Sequence, residues 1–205
     1  MTKVDLKAER KDLYAPKAGA FVEVDVPPMS YLMVDGHGDP NTEPAYTEAV
    51  EALFAVSYAV KFASKRELER DYVVMPLEGL WWADDHTVFA AGRKSDWDWT
   101  MMIRQPDWLP PELWDAAREK TSKKNLAALE AVRLETLAEG TSVQWMHIGP
   151  YDDEAPTIAR MHDWIAENGY VETGNHHEIY IGDPRRVEPA KLRTVVRQPI
   201  AVRAA

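Results

Sequence analysis

Apolar and polar residues alternate over Phe21–Val26, with Val22, Val24 and Val26 on one side, which predicts a strand closed by Pro27-Pro28. A second apolar run, Tyr31–Val34, ends at Asp35-Gly36-His37-Gly38-Asp39-Pro40, whose glycines and proline predict a loop. The period then changes. Tyr46, Ala49, Val50, Leu53, Val56 and Val60 recur at helical spacing, predicting a helix to about Ser64, capped by Asn41 or Thr42 with Pro44 in its first turn. Strand signals return over Tyr72–Trp82 and over Trp97–Arg104, where Pro106 stops the run.

Pro110-Pro111-Glu112 opens a connecting helix to about Ser122. The order then restarts. Val132–Thr136 alternates, Glu139-Gly140 turns, and Ser142–Ile148 is a strand ending at Gly149-Pro150. A helix capped by Asp152 or Asp153 carries Ile158, Met161 and Ile165 and stops at Gly169. His176–Ile181 and Leu192–Arg197 are the last strands, the latter ending at Pro199.

Each half thus reads strand, strand, helix, strand, strand. Arg-Gln-Pro closes the final strand of each, at residues 104–106 and 197–199, and repetition governs how a fold is read. The expectation is one domain over residues 1–205, built of pseudo-repeats at about 20–106 and 131–199 with a helical connector at 110–123. The fold class is α+β, with an antiparallel sheet, helices on one face and a ligand cleft between the halves.

Composition narrows the function. There is no cysteine, so a disulfide framework and a thiolate metal site are excluded. The start MTKVDLKAERKD has no apolar stretch of the signal-peptide kind, and no apolar run approaches the ~20 residues that span a bilayer. These features place the chain in the cytoplasm and off the membrane. A net charge of −10 without a basic patch argues against nucleic acid. Eight tryptophans are an unusual number; indoles usually fill core, and they also wall sites for flat or cationic ligands.

The candidate chemistry lies in two strands. Glu78 stands in Met75-Pro76-Leu77-Glu78-Gly79-Leu80-Trp81-Trp82, and Glu178 in His176-His177-Glu178-Ile179-Tyr180-Ile181. A carboxylate among apolar groups gains a raised pKa and can act as base or acid, or face a cation. The plainer role is a salt bridge to Arg104 or Arg197. Taken as a pseudo-symmetric pair beside Trp81, Trp82 and Tyr180, they predict a site. Tyr46 lies on the first helix, where its hydroxyl could reach the seam, and His147 near a loop end. His176 and His177 are adjacent in a strand, point to opposite faces and cannot share an ion, so no metal is expected. No dinucleotide fingerprint or serine elbow is present.

Four stretches resemble the GyrI-like small-molecule-binding family: residues 31–41, 76–82, 146–154 and 176–186, within a likeness running from about residue 5 to 200. The resemblance implies a duplicated α+β domain with a cleft between its halves, in which a buried glutamate and aromatic walls receive lipophilic cations. This chain is similar to a stand-alone branch that hydrolyses cyclopropane-bearing alkylating compounds and so protects the cell. The resemblance makes Glu78 and Glu178 the polar groups of the cleft, and so the candidate catalytic residues, and Trp81, Trp82 and Tyr180 its aromatic lining; Tyr46 and His147, from their places in the chain, are further candidates for ligand binding. It calls for no cofactor, and its partner is a lipophilic aromatic or cationic small molecule. The alternative function is binding or sensing without turnover. No oligomeric state follows from the sequence.

Overall fold

The computed structural model describes residues 3–84 and 92–204. Two short helical turns, α1 (Leu6–Glu9) and α2 (Lys11–Tyr14), precede strands β1 (Val22–Val26) and β2 (Met29–His37). Helix α3 (Pro44–Glu67), strands β3 (Glu78–Trp82) and β4 (Asp98–Arg104) and helix α4 (Pro111–Ser122) follow. The second half holds β5 (Arg133–Leu137), β6 (Gly140–Ile148), α5 (Ala155–Glu167), β7 (Tyr170–Glu172), β8 (His176–Tyr180) and β9 (Arg193–Val202).

The strands form one antiparallel sheet in the order β1-β6-β9-β8-β3-β4-β2-β5, with β7 added beside β9. That order reads the same from both ends once β1, β2, β3 and β4 are matched with β5, β6, β8 and β9. The halves exchange their first strands: β1 pairs with β6, and β5 with β2. The centre of the sheet is the β3–β8 pair, where Gly79 stands opposite Glu178.

Directly opposed residues share a face, and successive residues alternate. One face therefore presents Leu32, Val34, Trp99, Met101, Trp81, Glu178, Tyr180 and Val196. Helices α3 and α5 cover it on either side of the seam, with α4 packed against α3. Ala49, Ala52, Leu53, Val56 and Val60 of α3 belong to the main core. Met161 and Ile165 of α5 close a separate small core with Val143, Val196 and Ile200. Two cores on one face leave a seam between the helices, above β3 and β8. The opposite face carries Glu78, His177, Arg104 and Arg197, with α1 and α2 laid over part of it.

Glycine sets one contact of the first half. A Cβ at Gly36 would fall 2.1 Å from a ring carbon of Trp99, so the fully buried indole lies over bare backbone.

Several expected boundaries move. The cap residue of α3 is Glu43 and that of α5 is Glu154, neither with a side-chain cap bond, in place of Asn41 or Thr42 and Asp152 or Asp153. Tyr151–Asp153 instead form a 3-10 turn. Only Glu78–Trp82 of the Tyr72–Trp82 run is strand; Tyr72 makes a single parallel bridge to Val4. The last strand passes through Pro199, because proline loses only its own N–H and the Pro199 carbonyl still accepts from the Thr173 amide at 2.8 Å. The Arg-Gln-Pro copies do not coincide in register. Gly38 and Gly149 bond to Trp97 and Leu192. Counting from those loops, Arg104 matches Pro199 and Arg197 matches Met102.

Candidate functional site

The same register separates the two glutamates. In the matched strands Glu178 falls at the position of Gly79, and Glu78 at that of His177. A one-residue offset turns a strand side chain to the other face. Glu178 therefore faces the helices, and Glu78 faces α1 and α2. Trp82 stands on the Glu78 side, whereas Trp81 and Tyr180 share the face of Glu178. The structure thus brings together Glu178, Trp81, Tyr180 and Tyr46, and places Glu78 and Trp82 elsewhere.

The site is built on the central strand pair. The Tyr180 hydroxyl donates to Glu178 Oε2 at 2.9 Å and accepts from Trp81 Nε1 at 3.0 Å. His176 Nε2 lies 3.5 Å from the other Glu178 oxygen. Gly79 makes this crowding possible: a Cβ there would lie 2.4 Å from Met101 Cε, 2.9 Å from Trp81 Nε1 and 3.3 Å from the Tyr180 hydroxyl. Tyr46, on the first turn of α3, stacks on Trp81 with ring centres 6.4 Å apart and meets Trp99 edge-on at 5.4 Å. Trp97 meets Trp81 edge-on at 5.7 Å, and Tyr151 meets Tyr180 at 5.4 Å. Such edge and offset contacts are the favoured geometries of aromatic pairs.

Two carboxyl groups meet in this aromatic surround. Glu154, at the start of α5, is 3% exposed, and its Oε1 has no hydrogen-bond partner. Burial, and then the charge of Glu178, push its pKa far above the usual carboxylate range. A second carboxylate beside buried Glu154 disfavours its charged form, so the site favours the protonated Glu154. Burial, and then the charges of Glu154 and Glu178, also raise the Tyr151 hydroxyl to about 12. Burial and Glu178 raise Tyr46 and Tyr180 in the same sense. Tyr46, Tyr151, Glu154 and Tyr180 thus cluster around Glu178. Among the described residues no lysine or arginine bonds Glu178 or Glu154.

Sequence reasoning missed Glu154, Tyr151 and His176. Asp152-Asp153-Glu154 reads as a solvated cap, and only its place beside the seam makes Glu154 a site group. His147 braces this region. Its Nε2 lies 3.2 Å from the Pro150 carbonyl, which can only accept, so Nδ1 is left to accept from Thr157 at 3.5 Å. The ring ties the loop before α5 to the helix.

Glu78 belongs to a buried ion network on the other face. It accepts from the Tyr14 hydroxyl at 3.2 Å and meets His177 Nε2 at 3.0 Å. His177 Nδ1 meets Glu139 at 2.9 Å, and Glu139 meets Arg197 Nη1 at 3.0 Å. Arg197 also donates to the Leu13 carbonyl and to Gln144, so the network fastens α2 to the sheet. Burial opposes charge on His177, but Glu139 and Glu78 outweigh it and raise its pKa to about 8. Burial likewise opposes charge on Glu139, and His177 and Arg197 outweigh it, bringing it down to about 2.

These shifts fix a pH dependence. The His177 contribution is complete below its ordinary 6.5 and disappears as pH rises through about 8. The Glu139 contribution is complete above its ordinary 4.5 and disappears as pH falls through about 2. The Glu154 contribution is complete below its ordinary 4.5 and is lost progressively as pH rises toward about 9, because the unfolded carboxyl ionises first. Calorimetry across pH is expected to show greatest stability near pH 4.5 and a decline from there toward about pH 9, steepest above 6.5 where the loss at His177 adds to that at Glu154. An unchanged melting temperature over that alkaline span contradicts the assignment.

Among the described residues no group of three or more His, Asp or Glu side chains could hold a metal ion, and no helix is long and apolar enough to cross a membrane.

The profile of the GyrI-like small-molecule-binding domain matches residues 20–201. The chain belongs to the GyrI-like family. Three solved structures from Listeria innocua are similar over nearly its whole length. An uncharacterised conserved protein is 40% identical, over 97% of this chain and all of the other, with a TM-score of 0.88. Two proteins described as hydrolases are 38% and 37% identical, over 97% and 98% of this chain and all of theirs, with TM-scores of 0.82 and 0.84. No curated protein matches the chain. As a GyrI-like domain the protein binds small molecules, and the aromatic seam above Gly79 is its candidate site.

Placing Gly79 under that site gives a prediction. In Gly79→Ala the methyl displaces the flexible Met101 terminus and crowds Trp81 Nε1. Loss of the Trp81–Tyr180 bond is expected to weaken ligand binding about tenfold, roughly 1.4 kcal/mol, with the fold retained. Titration followed by tryptophan fluorescence reads this directly, and unchanged affinity would show that the floor does not touch ligand.

Proposed function

We propose that the protein hydrolyses lipophilic electrophiles that carry a strained cyclopropane, and so removes alkylating compounds. One arrangement carries this reading: the carboxyl of Glu178 beside the buried carboxyl of Glu154, inside aromatic walls. The description of two well-covered relatives as hydrolases supports it.

The flat ligand lies against Trp81, Tyr46 and Tyr180, which exclude bulk water and strengthen the electrostatics around Glu178. Glu178 takes a proton from water as the water oxygen bonds to the ring CH2. The strained C–C bond breaks, and its electron pair moves into the conjugated carbonyl acceptor. Glu154 protonates the resulting oxyanion. A proton passing from Glu178 to Glu154 restores both groups, so the product equals substrate plus one water. General-base help of this kind contributes ~10²–10⁴-fold. Tyr180 and Trp81 orient Glu178, and His176 flanks its second oxygen.

The absence of a basic partner for the two carboxyl groups, among the described residues, favours a second reading: binding of lipophilic cations without turnover. There the negative charge of Glu178 and the faces of Trp81 and Tyr46 hold the cation. Mass spectrometry after incubation with a cyclopropane-bearing compound separates the two. A product heavier by one water supports hydrolysis; unaltered ligand retained by the protein overturns it and supports the binder.

A further inference from the structure

Helix α3 leaves one face uncovered, and that face is patterned. Glu48, Glu51, Ala55, Tyr58, Phe62 and Lys65 follow one another at alternating three- and four-residue steps. This is the spacing of a coiled-coil seam. Two of the six are large aromatic residues held out in solvent, Tyr58 at 48% and Phe62 at 56% exposure. They are not isolated: Phe54, Tyr58 and Phe62 form a row of rings 6.5 and 6.3 Å apart. The buried side of the same helix is already complete, with Ala49, Ala52, Leu53, Val56 and Val60 in the core. Tyr58 and Phe62 lie outside that core, while Phe54 packs against its edge.

Charge along the seam is divided. Its N-terminal end is acidic, with Glu48 and Glu51. Its C-terminal end is basic, with Lys65 and the neighbouring Arg66. A parallel partner of the same pattern would set like charges together. An antiparallel copy sets opposite charges together. A twofold axis crossing the helix between Val56 and Ser57 puts Ala55 opposite the partner's Tyr58, Glu51 opposite the partner's Phe62 and Glu48 opposite the partner's Lys65. Small then meets large at Ala55 and the partner's Tyr58, acid meets base at Glu48 and the partner's Lys65, and the methylenes of Glu51 lie along the ring of the partner's Phe62. Self-complementarity of this kind is what an isologous twofold interface requires.

We propose that α3 is the interface of a homodimer in which two copies of this helix pack antiparallel along the Glu48–Lys65 seam. The seam covers 18 residues, ~26 Å of helix at about 1.5 Å per residue. A two-helix contact of that length falls at the small end of specific interfaces, below roughly 1,200 Å² in total. The dimer is thus weak and concentration-dependent. In the monomer Lys65 has only a 3.5 Å approach to Asp71, which Lys61 also bonds, so Lys65 is available to the partner's Glu48.

Sedimentation velocity over a concentration series tests this. The expected result is a monomer–dimer equilibrium at micromolar concentrations that a Tyr58→Ser, Phe62→Ser variant shifts at least tenfold toward monomer. Because both side chains are exposed, that variant keeps its fold, which circular dichroism verifies. Reversing one end, with Glu48→Lys and Glu51→Lys, is expected to dissociate the dimer. Adding Lys65→Glu and Arg66→Glu to that chain restores it, a rescue only the antiparallel pairing gives. A protein that stays monomeric at all concentrations, or a dimer indifferent to Tyr58 and Phe62, overturns the proposal.

Discussion

Replacing Glu178 by glutamine is expected to lower turnover of a cyclopropane substrate by ~10²-fold or more while leaving its affinity within a few-fold. Glutamine keeps the size of the side chain and can still accept from the Tyr180 hydroxyl, which now bonds Glu178 at 2.9 Å. What it loses is the ability to take a proton from water. The aromatic faces of Trp81, Tyr46 and Tyr180, proposed to supply most of the ligand contact, are unchanged. Glu154→Gln is expected to reduce the rate less, since water can supply the proton to the oxyanion at lower efficiency. Single-turnover kinetics beside equilibrium binding separate these effects. Full turnover by the Glu178 variant would remove the carboxylate from the mechanism. Loss of affinity for a cationic ligand, with no turnover in the native protein, would give the site to the binding reading.

The largest stability effect is expected on the other face of the sheet. Glu139→Ala leaves Arg197 and His177 buried without the carboxylate that joins them at 3.0 and 2.9 Å. Breaking a buried pair from one side costs about 3–5 kcal/mol, because the remaining charge stays desolvated. For a chain of this length that lowers the melting temperature by on the order of 10 °C. The effect should also depend on pH, shrinking on the alkaline side where His177 is neutral in the native protein. Chemical denaturation near neutral and at alkaline pH gives both numbers. A loss below about 1 kcal/mol would show that Glu139 is no keystone of the network.

Much of this molecule was written in periodicity. The alternation of Val22, Val24 and Val26, the helical stripe from Tyr46 to Val60 and the restart at Val132 gave the elements in their order. The loops at Gly38 and Gly149 marked equivalent strand ends, since both bond to the facing strand in the same way. What periodicity leaves open is register. Arg-Gln-Pro invited an alignment that is two residues out. A strand slip of one residue separates Glu78 from Glu178 by the full thickness of the sheet. Composition could not reveal this, because both glutamates sit among aromatic and aliphatic neighbours. Only the pairing of Gly79 with Glu178 decides which one faces the helices. Glu154 was hidden for a related reason: an acidic residue before a helix usually caps it in water, and burial beside another carboxylate is a tertiary event. Three-residue β7 escaped notice because so short a strand carries no period.

On the reading proposed above, the ligand meets Glu178 on the helix-covered face and not Glu78 on the other. The opposite face does offer a recess of about 360 Å³, lined by Leu80, Leu137, Glu139, Asn175 and Pro199, so the alternative is physically real. A crystal structure with a flat lipophilic ligand bound decides between them. The ligand is expected against Trp81, Tyr46 and Tyr180, with its reactive or charged atom within reach of Glu178. A ligand seated in the recess beside Leu80 and Glu139, with the Trp81–Tyr180–Glu178 bonds undisturbed, would contradict it.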